Sequence, residues 1–254
     1  MQSQIKILNN VKLKNPILIE GLPGIGNVGR IAAGYLVSEL KMKKFAELYS
    51  PHFLPLVILH PDSDVHLLKC EFYYHKGERD IIVLTGDTQS ISPEGHYEIC
   101  DKILDFAEKM GVKEIVTLGG FAEGEDVKDP RVVGAVNKKE LLKKYEKYGI
   151  DFTRRHSIGT IVGASGLLLG LSAMRDIPAI CLMGETVALP LITDPKAADR
   201  ILQVLIKILD FKLDLSKLET TIEEMEERIK KTENIHKKML QEMPKTKDDI
   251  KYIG

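Results

Sequence analysis

Apolar residues recur along this chain in two alternating rhythms, and the changes between them mark strands followed by helices. Residues 16–20, Pro-Ile-Leu-Ile-Glu, form an apolar run short enough for a buried strand. A glycine-rich turn follows, after which Ile31, Tyr35, Leu36 and Leu40 return at helical spacing. Residues 5–8 predict a short strand before this unit, and residues 45–50 another after it. The apolar segment 53–59 contains Pro55, which predicts an edge or a bend. Residues 65–74 and 81–84 flank the polar turn Lys76-Gly-Glu-Arg-Asp80 and predict an antiparallel hairpin.

The second half repeats the alternation. Ser92-Pro93-Glu94 is a helix start, because serine caps orphan amides, proline suits the first turn and an acid favours the positive helix end. Tyr97, Ile99, Ile103, Leu104 and Phe106 supply its apolar face, and Gly111 stops it. A strand at 114–118 ends in Gly119-Gly120, a polar loop spans 123–131, and a lysine-rich helix surrounds Leu141 and Leu142. Residues 158–162 precede Gly163-Ala-Ser-Gly166, an apolar helix through Ala173, a strand at 179–183 and a helix opened by Asp194-Pro195 that runs through Leu209. Repeated strand-to-helix crossovers predict an α/β fold with a mixed, mostly parallel sheet and helices on both faces. Beyond it, Leu215, Leu218, Ile222, Met225 and Ile229 alternate steps of three and four, the seam of a helix seeking a partner face. Leu218, Ile222, Met225 and Ile229 are therefore expected in self-association or helix packing. The expected organisation is a core over residues 1–212, an amphipathic helical extension over 213–244 ended by Pro244, and a flexible polar tail over 245–254.

Composition narrows the function classes. A chain of 254 residues with 44% hydrophobic residues and a formal net charge of -1 is an ordinary globular protein, with no electrostatic argument for nucleic acid or an anionic membrane. Cys70, Cys100 and Cys181 are isolated in apolar stretches, as reduced core cysteines are. The start lacks a signal-like segment and no apolar run reaches membrane-spanning length, so a cytoplasmic protein is expected.

Gly24, Gly26 and Gly29 satisfy the G-x-G-x-x-G spacing that lets a backbone approach a pyrophosphate at a helix N-terminus. Such a site also needs an acid at the end of the second strand. Glu47 stands near the right offset but inside residues 45–50, and Pro23 crowds the turn. A nucleotide- or small-molecule-binding α/β enzyme using this loop is thus the alternative expectation, against glycines used for close packing. Around Ser165 the nucleophile-elbow pattern fails at Leu167, which leaves Ser165 as a helix-cap residue. The histidines at 52, 60, 66, 75, 96, 156 and 236 show no ligand spacing, so no metal is expected. Asp87, Glu94, Glu123, Glu125, Asp126 and Asp129 fit loops and helix starts, and Arg154-Arg155-His156 with Lys138, Lys139, Lys143 and Lys144 fit a solvated face or an acidic protein partner. No catalytic residue and no cofactor are expected.

Four blocks carry more information than any of these patterns alone. Glu20-Gly-Leu-Pro-Gly-Ile-Gly-Asn-Val-Gly29, Glu47-Leu-Tyr-Ser-Pro51, Leu118-Gly-Gly-Phe121 and Gly163-Ala-Ser-Gly-Leu-Leu168 together resemble, in order and spacing, the archaeal proteasome assembly chaperone family over about residues 15–210. The resemblance implies a phosphorylase- or hydrolase-like α/β fold, no established cofactor, homo-oligomerisation and help in assembling proteasome α-subunits. Some members of that family dock on the proteasome through a C-terminal hydrophobic-Tyr-any-residue tripeptide, and the resemblance implies partner binding here, to proteasome α-subunits or another protein partner, through Ile250, Tyr252, Ile253 and Gly254. Tyr252 stands third from the end rather than second, moving the carboxylate by one residue's reach, about 3.3 to 3.6 Å. The expected function is non-enzymatic, proteasome-assembly-chaperone-like protein binding through a multivalent C-terminal surface.

Overall fold

Strand β2 (Ile17–Glu20) lies in the middle of an eight-stranded sheet and is buried on both faces. Its neighbours are β7 (Ile81–Gly86) on one side and β8 (Glu114–Ala122) on the other, both parallel to it. β10 (Ala179–Thr186) extends the parallel centre beyond β8, and β9 (Val132–Val136) closes that side antiparallel to β10. On the other side, β6 (Cys70–His75), β3 (Lys43–Tyr49) and β1 (Gln4–Ile7) follow β7 in antiparallel succession. A separate two-stranded hairpin pairs β4 (Val57–Leu59) with β5 (Val65–Leu67). The structure is a computed structural model and describes residues 1–60, 62–122, 127, 129–153, 159–187, 193–218 and 220–223.

Helices cover both faces of the sheet because strand side chains alternate between them. Ile17, Ile19, Val83, Val116 and Leu182 face α1 (Val28–Glu39) and α5 (Pro195–Leu209), where Ile31, Leu36, Ile201 and Leu205 meet them. Leu18, Ile82, Leu84, Ile115 and Cys181 face α2 (Pro93–Lys109) and α4 (Ala164–Met174), where Ile99, Ile103, Leu104 and Leu168 fill the second layer. Cys70, Cys100 and Cys181 are free and buried, and burial pushes the thiol of Cys181 up to about 12. None of them offers a thiolate at neutral pH.

The two helix starts read from sequence have the expected caps. Ser92 Oγ accepts Gly95 N–H at 3.1 Å with Pro93 in the first turn, and Asp194 Oδ1 accepts Ala197 N–H at 3.0 Å ahead of Pro195. Other boundaries differ. β8 continues through Gly119 and Gly120 to Ala122, the lysine-rich segment gives only the short α3 (Leu141–Tyr145), and β9 starts as soon as the polar stretch ends. Ser165 is not a cap: Gly163, at φ 86°, holds that position and Ser165 lies inside α4. Serine was the natural reading for a cap, but the left-handed backbone before the helix suits glycine.

Candidate functional site

β2 precedes α1 and a return on one side of the sheet, whereas β8 lies on its other side, so the carboxyl end of β2 is a topological switch point. Glu20 ends this strand and is completely buried. Its Oε1 accepts the Leu22 N–H at 3.0 Å and its Oε2 lies 3.1 Å from Ser165 Oγ, which also reaches Leu118 O at 3.2 Å. Burial raises the Glu20 pKa to about 7, with the Leu22 amide and Ser165 hydroxyl partly opposing the shift. The carboxyl is thus poised between its neutral and charged forms near neutral pH.

The glycine loop beside it is held from three directions. Gln89 donates through Nε2 to Pro23 O and accepts the Ala164 N–H through Oε1 at 2.9 Å, joining this loop to the start of α4. Gly26, at φ 62°, offers its carbonyl to Asp194 N–H at 2.9 Å, while Thr186 Oγ1 meets Asp194 Oδ2 at 2.6 Å. At Gly29 a Cβ would stand 2.2 Å from Leu118 O, so α1 rests directly on the backbone of β8. A Cβ at Gly24 would have only Gln89 Nε2 nearby, at 3.8 Å.

This geometry does not resemble a pyrophosphate cradle. Gly29 is used for helix-to-sheet contact, and a Cβ at Gly26 would meet Thr186 Oγ1 at 2.9 Å and Asp194 Cβ at 3.4 Å, so Gly26 too serves close packing. Glu47, the candidate ribose acid, stands on β3, separated from β2 by β6 and β7. Its carboxylate accepts Lys44 Nζ at 2.8 Å, Lys69 Nζ at 2.7 Å and Tyr49 Oη at 2.9 Å. Burial opposes ionisation of Glu47, but these three bonds outweigh it and hold its pKa at about 2.

The remaining polar candidates are dispersed. Asp87 accepts the Lys69 N–H at 3.2 Å, and burial raises its pKa despite the nearby Arg30. Glu94 serves the first turn of α2, and Asp129 lies 3.6 Å from Arg200. Lys138 pairs with Asp176, and Lys144 with Glu114. His52 Nε2 is 2.8 Å from Glu98 Oε2, and Ser92 Oγ approaches His52 Nδ1 only to 3.5 Å while it caps α2. Among the described residues no cluster of histidine, cysteine and acid side chains is arranged to hold a metal ion, and no helix is long and apolar enough to cross a membrane.

Leu218 and Ile222 are buried against the α1 and α5 layer, beside the hydrogen bond from Tyr35 Oη to Asp214 O. Met225, Ile229, Ile250, Tyr252, Ile253 and Gly254 lie outside the described residues, as do Glu123, Glu125, Asp126, Arg154, Arg155 and His156. Sequence reading missed Gln89 as the tie between two loops and Glu20 as a buried titratable group. For Glu20 a signal existed, a lone acid ending an otherwise apolar strand.

The profile of the PAC2 family matches residues 18–233. The chain belongs to the PAC2 family. The four sequence blocks thereby find their explanation, since they form β2 with its loop, the end of β3, the end of β8 and the start of α4. This PAC2 protein is similar to Pyrococcus furiosus PbaB, described as an archaeal proteasome activator, with 41% identity, TM-score 0.81 and coverage of 94% of this chain and 98% of PbaB. It also resembles Pyrococcus furiosus PbaA, described as an archaeal homolog of proteasome-assembly chaperone, with 27% identity, TM-score 0.75 and coverage of 94% and 98%. An uncharacterized protein of Methanocaldococcus jannaschii is 38% identical over 252 residues, 98% of this chain and 96% of that protein.

Proposed function

We propose that this PAC2 protein is a non-enzymatic, homo-oligomeric binding protein of the proteasome system that engages proteasome α-subunits through several copies of its C-terminal surface. The 41% identity to a proteasome activator over nearly the whole of both chains carries the reading. In this mechanism the α/β core is the base, and each copy contributes the extension over residues 213–244 and the tail over 245–254. Oligomerisation multiplies that tail. A symmetric partner then engages several weak contacts at once, and effective concentration raises avidity without requiring a strong single contact. Ile250, Tyr252, Ile253 and Gly254 are the capture residues, with the aromatic ring and the terminal carboxylate as the recognised groups. Met225 and Ile229 continue the apolar seam into self-association.

The test compares the full chain with a chain ending at residue 244 as bait for purified proteasome α-subunits. Binding by the full chain and loss on truncation is the expected result. Equal binding by both chains removes the tail from the mechanism, and absence of binding by the full chain removes the partner. A peptidase assay on assembled proteasome in the same experiment separates activation from assembly.

A further inference from the structure

The β4–β5 hairpin divides its side chains by register. Val57 pairs with Leu67 and Leu59 with Val65, so these four share one face. Ile58 pairs with His66 on the other face, where Ile58 packs against the second core layer. His60 follows Leu59 and returns to the side of Ile58 by the alternation of strand side chains. Two backbone bonds close the turn there, from His60 N–H to Asp64 O at 2.8 Å and from Ser63 N–H to His60 O at 3.0 Å. Both histidines are thereby held on one face, although they are six positions apart in sequence.

Their ring nitrogens meet. His60 Nε2 lies 2.7 Å from His66 Nδ1, with the ring centroids 4.8 Å apart. One ring supplies an N–H to this contact and the other a lone pair. The far nitrogen of His66, Nε2, faces Asp87 Oδ2 at 3.6 Å. Asp87 follows β7 and is itself fixed, since its Oδ2 accepts the Lys69 N–H at 3.2 Å and its own N–H binds Lys69 O at 3.0 Å. A carboxylate behind one imidazole nitrogen, leaving the other as a lone-pair donor, is the arrangement that orients a histidine as a metal ligand. Two imidazole nitrogens on a tetrahedral divalent ion stand about 3.3 Å apart, so a metal in place of the shared proton asks the rings to open by about 0.6 Å. His60 is exposed and His66 half-buried, and that movement displaces no core side chain.

We infer that His60 and His66 form a two-histidine site for a divalent transition-metal ion, with Asp87 as the carboxylate that orients His66. Imidazole suits Zn2+, Ni2+ and Cu2+, whereas Mg2+ and Ca2+ take oxygen ligands. No third histidine, cysteine or acid joins the pair among the described residues, so water completes the coordination and the ion is exchangeable, unlike that of a closed structural centre. Bound metal joins the end of β4 to β5 and, through Asp87, ties the hairpin to the end of β7. A two-stranded hairpin is marginally stable alone in water, so the ion acts as a local lock on it. The spacing of the two histidines carries no sign of this, because hairpin register brings the rings together. The site is independent of the proteasome reading.

Calorimetric titration of the untagged full chain with Zn2+ tests the site. The expected result is one ion bound per chain, with no saturable binding of Mg2+ or Ca2+. His60→Ala and His66→Ala each abolish saturable Zn2+ binding, and His75→Ala leaves it unchanged. Asp87→Asn weakens it about 10- to 100-fold, the usual effect of losing the partner of a ligating histidine. Electron paramagnetic resonance of the Cu2+ form separates ligands from the residue that orients them: two nitrogen donors are expected in wild type and in Asp87→Asn, and fewer in each histidine variant. Zn2+ binding as tight in either histidine variant as in wild type overturns the site, as does a wild type with no saturable binding. Wild-type affinity in Asp87→Asn overturns the role of Asp87. Circular dichroism checks folding, and His60→Gln or His66→Gln replaces a variant that fails it.

Discussion

Glu20 Oε2 and Ser165 Oγ lie 3.1 Å apart at the fully buried end of β2, joining the central strand to α4. Glu20 is a carboxyl whose neutral form suits its surroundings better than its ion. Its pKa rises from 4.5 to about 7 on folding because burial penalises the charge.

The first prediction concerns Glu20→Gln. The folded chain holds this proton up to about pH 7, whereas the unfolded chain releases it near 4.5, so stability falls as pH rises through that window. The amide keeps an acceptor for Leu22 N–H and carries no titratable proton. Relative to wild type, the variant gains stability from pH 4.5 to pH 8, by about 3 kcal/mol across the full shift. Urea melts at pH 4.5 and pH 8 measure it, and an equal difference at both pH values contradicts the assignment.

Glu47 predicts the opposite slope. Its pKa is held at about 2 by Lys44, Lys69 and Tyr49 against the opposing effect of burial. The stability this supplies is present above pH 4.5 and is lost as pH falls towards 2. Glu47→Gln leaves Glu71 as the carboxylate that Lys44 and Lys69 share, and is expected to cost about 1 to 3 kcal/mol at pH 7. The cost shrinks on acidification in the same melts.

How much of this was legible in the sequence depended on how local each cause was. β2 and the starts of α2 and α5 could be read because their apolar runs and caps act within a few neighbouring residues. β9 was hidden because Val132–Val136 includes Gly134 and Ala135, weak strand formers held by pairing with β10. The glycine spacing was visible, but its role depended on Leu118, far along the chain, meeting Gly29. Likewise, Glu47 fell near the sequence offset of a ribose acid, yet sheet order placed two strands between it and β2. The heptad seam was equally plain, and Leu218 and Ile222 prove to be buried on their own core.

The glycines make a paired prediction. Gly29→Ala sets a methyl 2.2 Å from the Leu118 carbonyl oxygen, in backbone that has no freedom to yield, and is expected to destabilise by about 3 kcal/mol. Gly24→Ala meets only Gln89 at 3.8 Å and is expected to change stability by less than about 1 kcal/mol. Thermal melts distinguish the two. A calorimetric titration of Gly24→Ala and wild type with adenine nucleotides is expected to be flat for both, and saturable binding to wild type that is lost in the variant would revive the nucleotide enzyme.

The final prediction separates core from extension. Leu218 and Ile222 are 5% and 3% exposed within the layer formed by α1 and α5, and Tyr35 reaches Asp214 O from the same layer. Leu218→Ala is therefore expected to cost about 2 to 5 kcal/mol, the range for truncating a buried leucine. A chain ending at residue 212 loses both side chains and the Asp214 acceptor, and uncovers the fully buried Tyr35. It should melt well below a chain ending at residue 244, which keeps all three. If the 212-residue chain is as stable as the longer one, residues 213–223 contribute nothing to the core and the unit that folds ends at 212. If it is weaker, the extension is anchored in the core by Leu218 and Ile222, and the self-association expected of the seam falls to Met225 and Ile229.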